Sequence, residues 1–116
     1  MRGTLVCAMT DDDGGTALAT AAELSDRRDL RLVLAHVGDG SGELSDGVFD
    51  HAEQRWGAGD AAAVIGRIAA EEAADLIVVG ARTRGRFPRG LDSRLAGELG
   101  RETPVPVLIA PALTSV

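Results

Sequence analysis

Residues 75–111, DLIVVGARTRGRFPRGLDSRLAGELGRETPVPVLIAP, hold the pattern that decides the fold. Leu76 to Val79 is a short, wholly apolar run that stops at Gly80, as expected of a parallel strand buried on both faces. An arginine-studded loop follows, then a helix expected from about Asp92 that carries Leu91, Leu95 and Leu99. After a proline-bounded turn comes a second apolar strand, VPVLIA, expected over Val105 to Ala110. Strand, glycine, basic loop and helix N-terminus form the layout with which open α/β sheets hold a phosphate.

The rest of the chain repeats the alternation. Leu5 to Met9 reads as a buried strand and Asp11 to Gly15 as a turn. A helix is expected over Thr16 to Arg28, with Leu18, Ala21, Leu24 and Ser25 on one face. Leu30 to Val37 is again almost continuously apolar. Residues 38–49, GDGSGELSDGVF, have loop composition, and His51 to Trp56 reads as a third strand. Asp60 is placed to cap a helix running to about Ala74, with Val64, Ile65 and Ile68 facing inward. Strand alternating with helix implies a parallel sheet with right-handed crossovers. The link between the second and third strands is about the shortest that a parallel crossover permits, and its glycines make it a poor helix. The third strand suits a missing cover. It puts His51, Glu53 and Arg55 on one side and Ala52, Gln54 and Trp56 on the other, a polar-faced strand for a sheet edge.

A chain of 116 residues with 45% hydrophobic and 26% charged residues suits one globular domain, expected to span 1–116. Its longest strongly apolar run, LIVV, is far too short to span a bilayer. The opening MRGTLVCAM lacks the apolar length and cleavage site of a signal peptide, and Cys7 is the single cysteine, so a cytoplasmic protein without disulfides is expected. The net charge of −6 argues against general nucleic-acid binding. All 12 basic residues are arginine, and five of them (Arg82, Arg84, Arg86, Arg89 and Arg94) fall in the Gly80 loop and the start of the next helix. A lysine-free composition is also what GC-rich coding produces; the clustering is not.

The segment from Asp75 to Pro111 resembles the C-terminal half of the universal stress protein family. There a strand ending in VVG opens a G-x-x-G-x(9)-G-[ST] nucleotide loop, and a P-x-P-V-L strand closes the fold. The spacing is kept through Pro104, Val105 and Pro106, but three of the four signature positions are changed: Gly80 remains, while Thr83, Ser93 and Arg94 stand at the others. The resemblance implies an open five-stranded parallel sheet ordered 3-2-1-4-5 with helices on both faces, Rossmann-like, with the helix between strands two and three reduced or absent. It also implies a homodimer through the last strand, residues 104–111. The ligand it implies is ATP or AMP, with Mg2+ if ATP, or another phosphate-bearing molecule. Its contacts would come from Thr10 or Asp11, Val37, Gly80, Arg82, Thr83, Gly85, Ser93 and Arg94. The altered signature leaves an alternative open, a scaffold that has lost the nucleotide and works through protein contacts.

Each of these positions also has a plain structural role. Gly80 can be a simple strand-to-loop turn. A β-branched Thr83 at a positive-φ position would cost about 1–3 kcal/mol, so the loop would use Gly85 and Gly90 as its flexible points, within the limits set by Pro88. Asp92 or Ser93 can cap the helix, and an Asp92 carboxylate there would occupy the amides that a phosphate needs. Arg94 offers a forked donor for phosphate oxygens or a solvated helix face. Asp11, Asp12 and Asp13 favour the macrodipole of the helix they precede; a metal site would need further oxygen ligands. His36 and His51 stand apart, and no Ser-His-Asp, Cys-His or H-x-x-x-H arrangement exists, so neither an enzyme nor a metal centre is expected. Acids after the first strand also fit a signalling receiver domain, but that family needs an acceptor aspartate at another strand end and a lysine after the fifth strand. The fourth strand ends in Gly80 and the chain has no lysine.

Overall fold

The computed structural model describes residues 3–9, 15–37, 52–80 and 90–110, with backbone alone for residues 15–16 and 90–94. In chain order the elements are β1 (Thr4–Met9), α1 (Gly15–Arg28), β2 (Arg31–Val37), β3 (Glu53–Gly57), α2 (Ala61–Glu71), β4 (Leu76–Gly80), α3 (Gly90–Glu102) and β5 (Val107–Ala110). The sheet is ordered β3-β2-β1-β4-β5 and its pairings are all parallel. β1 lies at the centre. It runs beside β2 from Thr4↔Arg31 to Met9↔His36 and beside β4 from Leu5↔Leu76 to Cys7↔Val78.

The alternation of side chains along these strands builds two cores. Leu5, Cys7, Leu32, Leu34, Val78 and Ala110 point to one face, where Ala17 and Ala21 of α1 close over them. Val6, Val33, Ala35, Ile77 and Val79 point to the other, against Val64, Ile65, Ile68 and Ala69 of α2 and Leu99 of α3. A strand buried on both faces has no room for polar alternation, which is why β1, β2 and β4 are nearly unbroken apolar runs. Cys7 is fully buried among them. Among the described residues, one helix thus covers one face and two the other.

The ends of the helices follow local chemistry. Asp60 caps α2, its Oδ2 accepting from the Ala63 amide at 3.1 Å. The helix stops at Glu71 rather than near Ala74 because Ala73 turns left-handed, with φ 54°. The Ala74 amide then bonds back to the Ala69 carbonyl at 2.9 Å and the Ala73 amide to Ala70 at 3.2 Å, a Schellman closure. α1 ends the same way, with Asp29 at φ 56° and the Leu30 amide on the Ser25 carbonyl at 2.8 Å. α3 begins at Gly90, before the expected start near Asp92. Asp92 and Ser93 therefore lie inside its first turn and not at its cap; Leu91, four residues before Leu95, continues the helical stripe back to that turn.

Two strands differ from the expected bounds. β5 begins at Val107, not Val105, because the Val105 amide bonds to Thr103 Oγ1 at 3.2 Å within the preceding turn. Proline 106 has no amide to give, and enters the ladder only through its carbonyl, which accepts from Ile77 at 2.9 Å. β3 covers Glu53–Gly57, shifted from His51 to Trp56, and is an edge strand with polar faces as expected. The expected absence of a helix between β2 and β3 falls on residues 38–51, outside the described residues.

Candidate functional site: the crevice beyond β1 and β4

In this sheet order the chain leaves β1 and β4 in opposite lateral directions, to β2 on one side and to β5 on the other. α1 follows β1 on one face of the sheet and α3 follows β4 on the other. Loops that part in this way leave a crevice at the carboxyl ends of the two strands, the place where open α/β sheets take ligands. The two helix N-termini, at Gly15 and Gly90, both open toward that end of the sheet.

Among the expected contact residues, Gly80 closes β4 opposite Ala110 and stands at the crevice as the sequence indicated. Val37 ends β2 and packs partly buried against the α2–α3 core, one strand away from β1. The backbone of Ser93 and Arg94 belongs to the first turn of α3, which brings it to the same end; their side chains lie outside the described residues. Thr10, Asp11, Arg82, Thr83 and Gly85 lie outside them altogether. Among the described residues the structure therefore places two strand ends, Gly80 at one of them, and two helix starts at this end of the sheet.

At the same end of β2 and β3 the sequence had left an aromatic pair unread. His36 and Trp56 are register partners, and their rings stack with centroids 4.9 Å apart and 15° between planes. His36 Nε2 lies 2.7 Å from Gln54 Oε1; with the amide oxygen accepting, that nitrogen carries the proton. Neighbouring strands hold these residues in one row on the α1 face, so the pairing needed the register, not a motif.

Among the described residues, a network of ion pairs sits at the opposite end of the sheet. Arg31, the first residue of β2, donates to Glu53 at 2.5 Å, to Glu72 at 2.6 Å and to Thr4 Oγ1 at 3.3 Å. Arg55 of β3 reaches Glu71 in the last turn of α2 and Glu72 just beyond it. Glu72 thus gives one carboxylate oxygen to each guanidinium. The hydrogen bond from Arg31, joined by that from Arg55, holds the Glu72 carboxyl below its ordinary range despite the opposing effect of burial. Arg31 is correspondingly raised, first by Glu72 and then by Glu53, and Arg55 first by Glu71 and then by Glu72. A shallow cleft elsewhere, between the start of α2 and the end of α3, is lined by Asp60, Ala62, Glu98, Arg101 and Glu102. Three carboxylates against one guanidinium make it the wrong place for a phosphate. Among the described residues no group of acids, histidines and cysteines could hold a metal ion, and no helix is long and apolar enough to cross a membrane.

The chain matches the model of the universal stress protein family over residues 45–111, more than half its length. Its backbone is similar to that of a universal stress protein from Archaeoglobus fulgidus, with a TM-score of 0.65 at 20% identity, covering 95% of this chain and 99% of that one. The universal stress protein from Archaeoglobus fulgidus in complex with dAMP is similar with a TM-score of 0.60 at 19% identity, covering 93% and 97%. A universal stress protein in complex with cAMP is similar with a TM-score of 0.62 at 16% identity, again covering 93% and 97%. At these identities the likeness concerns the fold. No curated protein matches the chain.

Proposed function

The chain belongs to the universal stress protein family, and from that premise we propose that it is a small cytoplasmic regulatory protein that binds an adenine nucleotide or a simpler phosphate-bearing ligand beyond Gly80. The observation that carries the reading is the crevice itself. β4 ends in a glycine beside the central strand, and the first turn of α3 opens at the same end. The complexes of two similar proteins, with dAMP and with cAMP, support an adenine-bearing ligand. The arginines at 82 and 94 would meet the phosphate, since a guanidinium fork matches its oxygens. A mononucleotide suits the altered signature better than a triphosphate, because Asp11, Asp12 and Asp13 follow β1 and would repel added charge. ATP would need Mg2+ to offset them.

The reading assigns no catalytic residue and takes the protein to act by binding. A homodimer through β5 belongs to it, supported by an edge strand that exposes Leu108 and Ile109.

Titration calorimetry with AMP, ATP and inorganic phosphate, with and without Mg2+, tests the ligand. Saturable AMP binding is expected, weakened at least tenfold by Arg82→Ala combined with Arg94→Ala, the scale on which charge-assisted contacts act. No heat with any of the three would favour the second reading, a scaffold working through protein contacts. Thr83, Ser93 and Arg94 at three of the four signature positions are what support that alternative.

A further inference from the structure

β3 is attached to the molecule differently from the strands beside it. Toward α2 it presents Glu53, Arg55 and Gly57; toward the other face it presents Gln54 and Trp56. None of these five residues is buried, whereas β1, β2 and β4 are sealed on both faces by apolar side chains. One edge of β3 bonds to β2, from Val33↔Glu53 to Val37↔Gly57, and it ends the sheet on the other side. Such a strand has little apolar burial to hold it.

Charge takes that place. Arg31 on β2 grips Glu53 on β3, Arg55 on β3 grips Glu71 and Glu72, and Glu72 returns to Arg31. The ring closes through the β3 main chain between Glu53 and Arg55 and joins β2, β3 and the end of α2, with Glu72 as the shared acceptor. Its carboxylate is the most enclosed of the set, 13% exposed, while the arginines and the other two acids are 32–48% exposed. Arg67 of α2 lies 4.0 Å from Glu71 Oε2, the oxygen that Arg55 does not use.

We propose that this ring is an ionic latch, and that β3 opens from the sheet as a local unit under the control of ionic strength while β1, β2 and β4 stay folded. Between about 0.01 M and 1 M salt the screening length falls from roughly 30 Å to 3 Å, which acts most on the more exposed pairs, Arg31–Glu53 and Arg55–Glu71, and leaves apolar burial intact. Local opening draws on regions with few buried contacts, and β3, with no buried residue along Glu53–Gly57, is such a strand. Opening bares the edge of β2 and separates Trp56 from His36. The inference does not depend on the ligand reading.

Amide hydrogen exchange of the full chain at fixed pH, across that salt range, provides the test. The amides of residues 53–57 are expected to exchange roughly tenfold faster at the high-salt end, with those of β1 and β4 unchanged. Trp56, the sole tryptophan, should shift its emission over the same range. Glu72→Gln should bring fast exchange of β3 at low salt and remove most of the further response. Salt-independent protection of β3 in the wild type would overturn the latch, and so would loss of protection in β3 and β1 together. If Glu72→Gln does not fold, the wild-type salt series decides alone.

Discussion

Ala73 closes α2 with φ 54°, a conformation in which the Cβ crowds the following carbonyl. Helices that close in this way usually carry glycine there. Ala73→Gly is therefore expected to stabilise the protein by about 0.5–1 kcal/mol, the relief of strain exceeding the extra chain freedom of glycine. Denaturant unfolding would read it as a raised midpoint at unchanged slope. Asp29 makes the same turn with less strain, since its short polar side chain tolerates the region. Gly57 is the opposite case. A Cβ there would stand 2.7 Å from Val64 Cγ1 and 2.9 Å from an Arg67 nitrogen, and Val64 is buried and β-branched. Gly57→Ala should cost about 1–3 kcal/mol by pushing α2 off β3, seen as a lowered melting temperature. The Asp60 cap was legible from its place before an apolar helix. Nothing in the stretch AAEEAA, residues 69–74, marks Ala73 as the turning point.

At the level of the element, β5 sets the terms of assembly. Ile77 donates to the carbonyl of Pro106, and Ile77 stands opposite Val107 in the register. In a parallel ladder the main chain of Val107 and Ile109 must then face away from β4, toward the open edge. Leu108 and Ile109 are 38% and 44% exposed beside it. Val107→Pro removes one of those outward amides and leaves the ladder to β4 in place. It should shift the proposed dimer toward monomer with little change in the fold, as measured by light scattering together with circular dichroism. A monomer mass for the wild type at micromolar concentration would remove the dimer from the reading. The apolar edge was visible in VPVLIA; the start of the strand was not, because the Thr103 turn takes the amide of Val105.

Across the whole molecule, Glu72 links stability to pH. Its carboxyl is held below the ordinary range in the folded state by Arg31 and then Arg55. Its contribution is therefore fully present above the unfolded glutamate value of about 4.3 and is lost as pH falls through and below it. The urea midpoint should drop on that acid side, and Glu72→Gln should flatten the drop. The sequence alone determined the succession of elements, the two-sided burial of the inner strands, the cap at Asp60 and the place of Gly80 at a strand end. Those are local matters of period, capping and chain stiffness, readable within a few residues. The 3-2-1-4-5 order came from a family resemblance, because alternation fixes the handedness of crossovers and not which edges pair. Tertiary structure decided the rest: the Arg31–Glu72 contact joins residues 41 positions apart, and the His36–Trp56 stack exists through register. Such contacts depend on where the sheet brings distant segments together, and no local pattern of charge or ring carries that information.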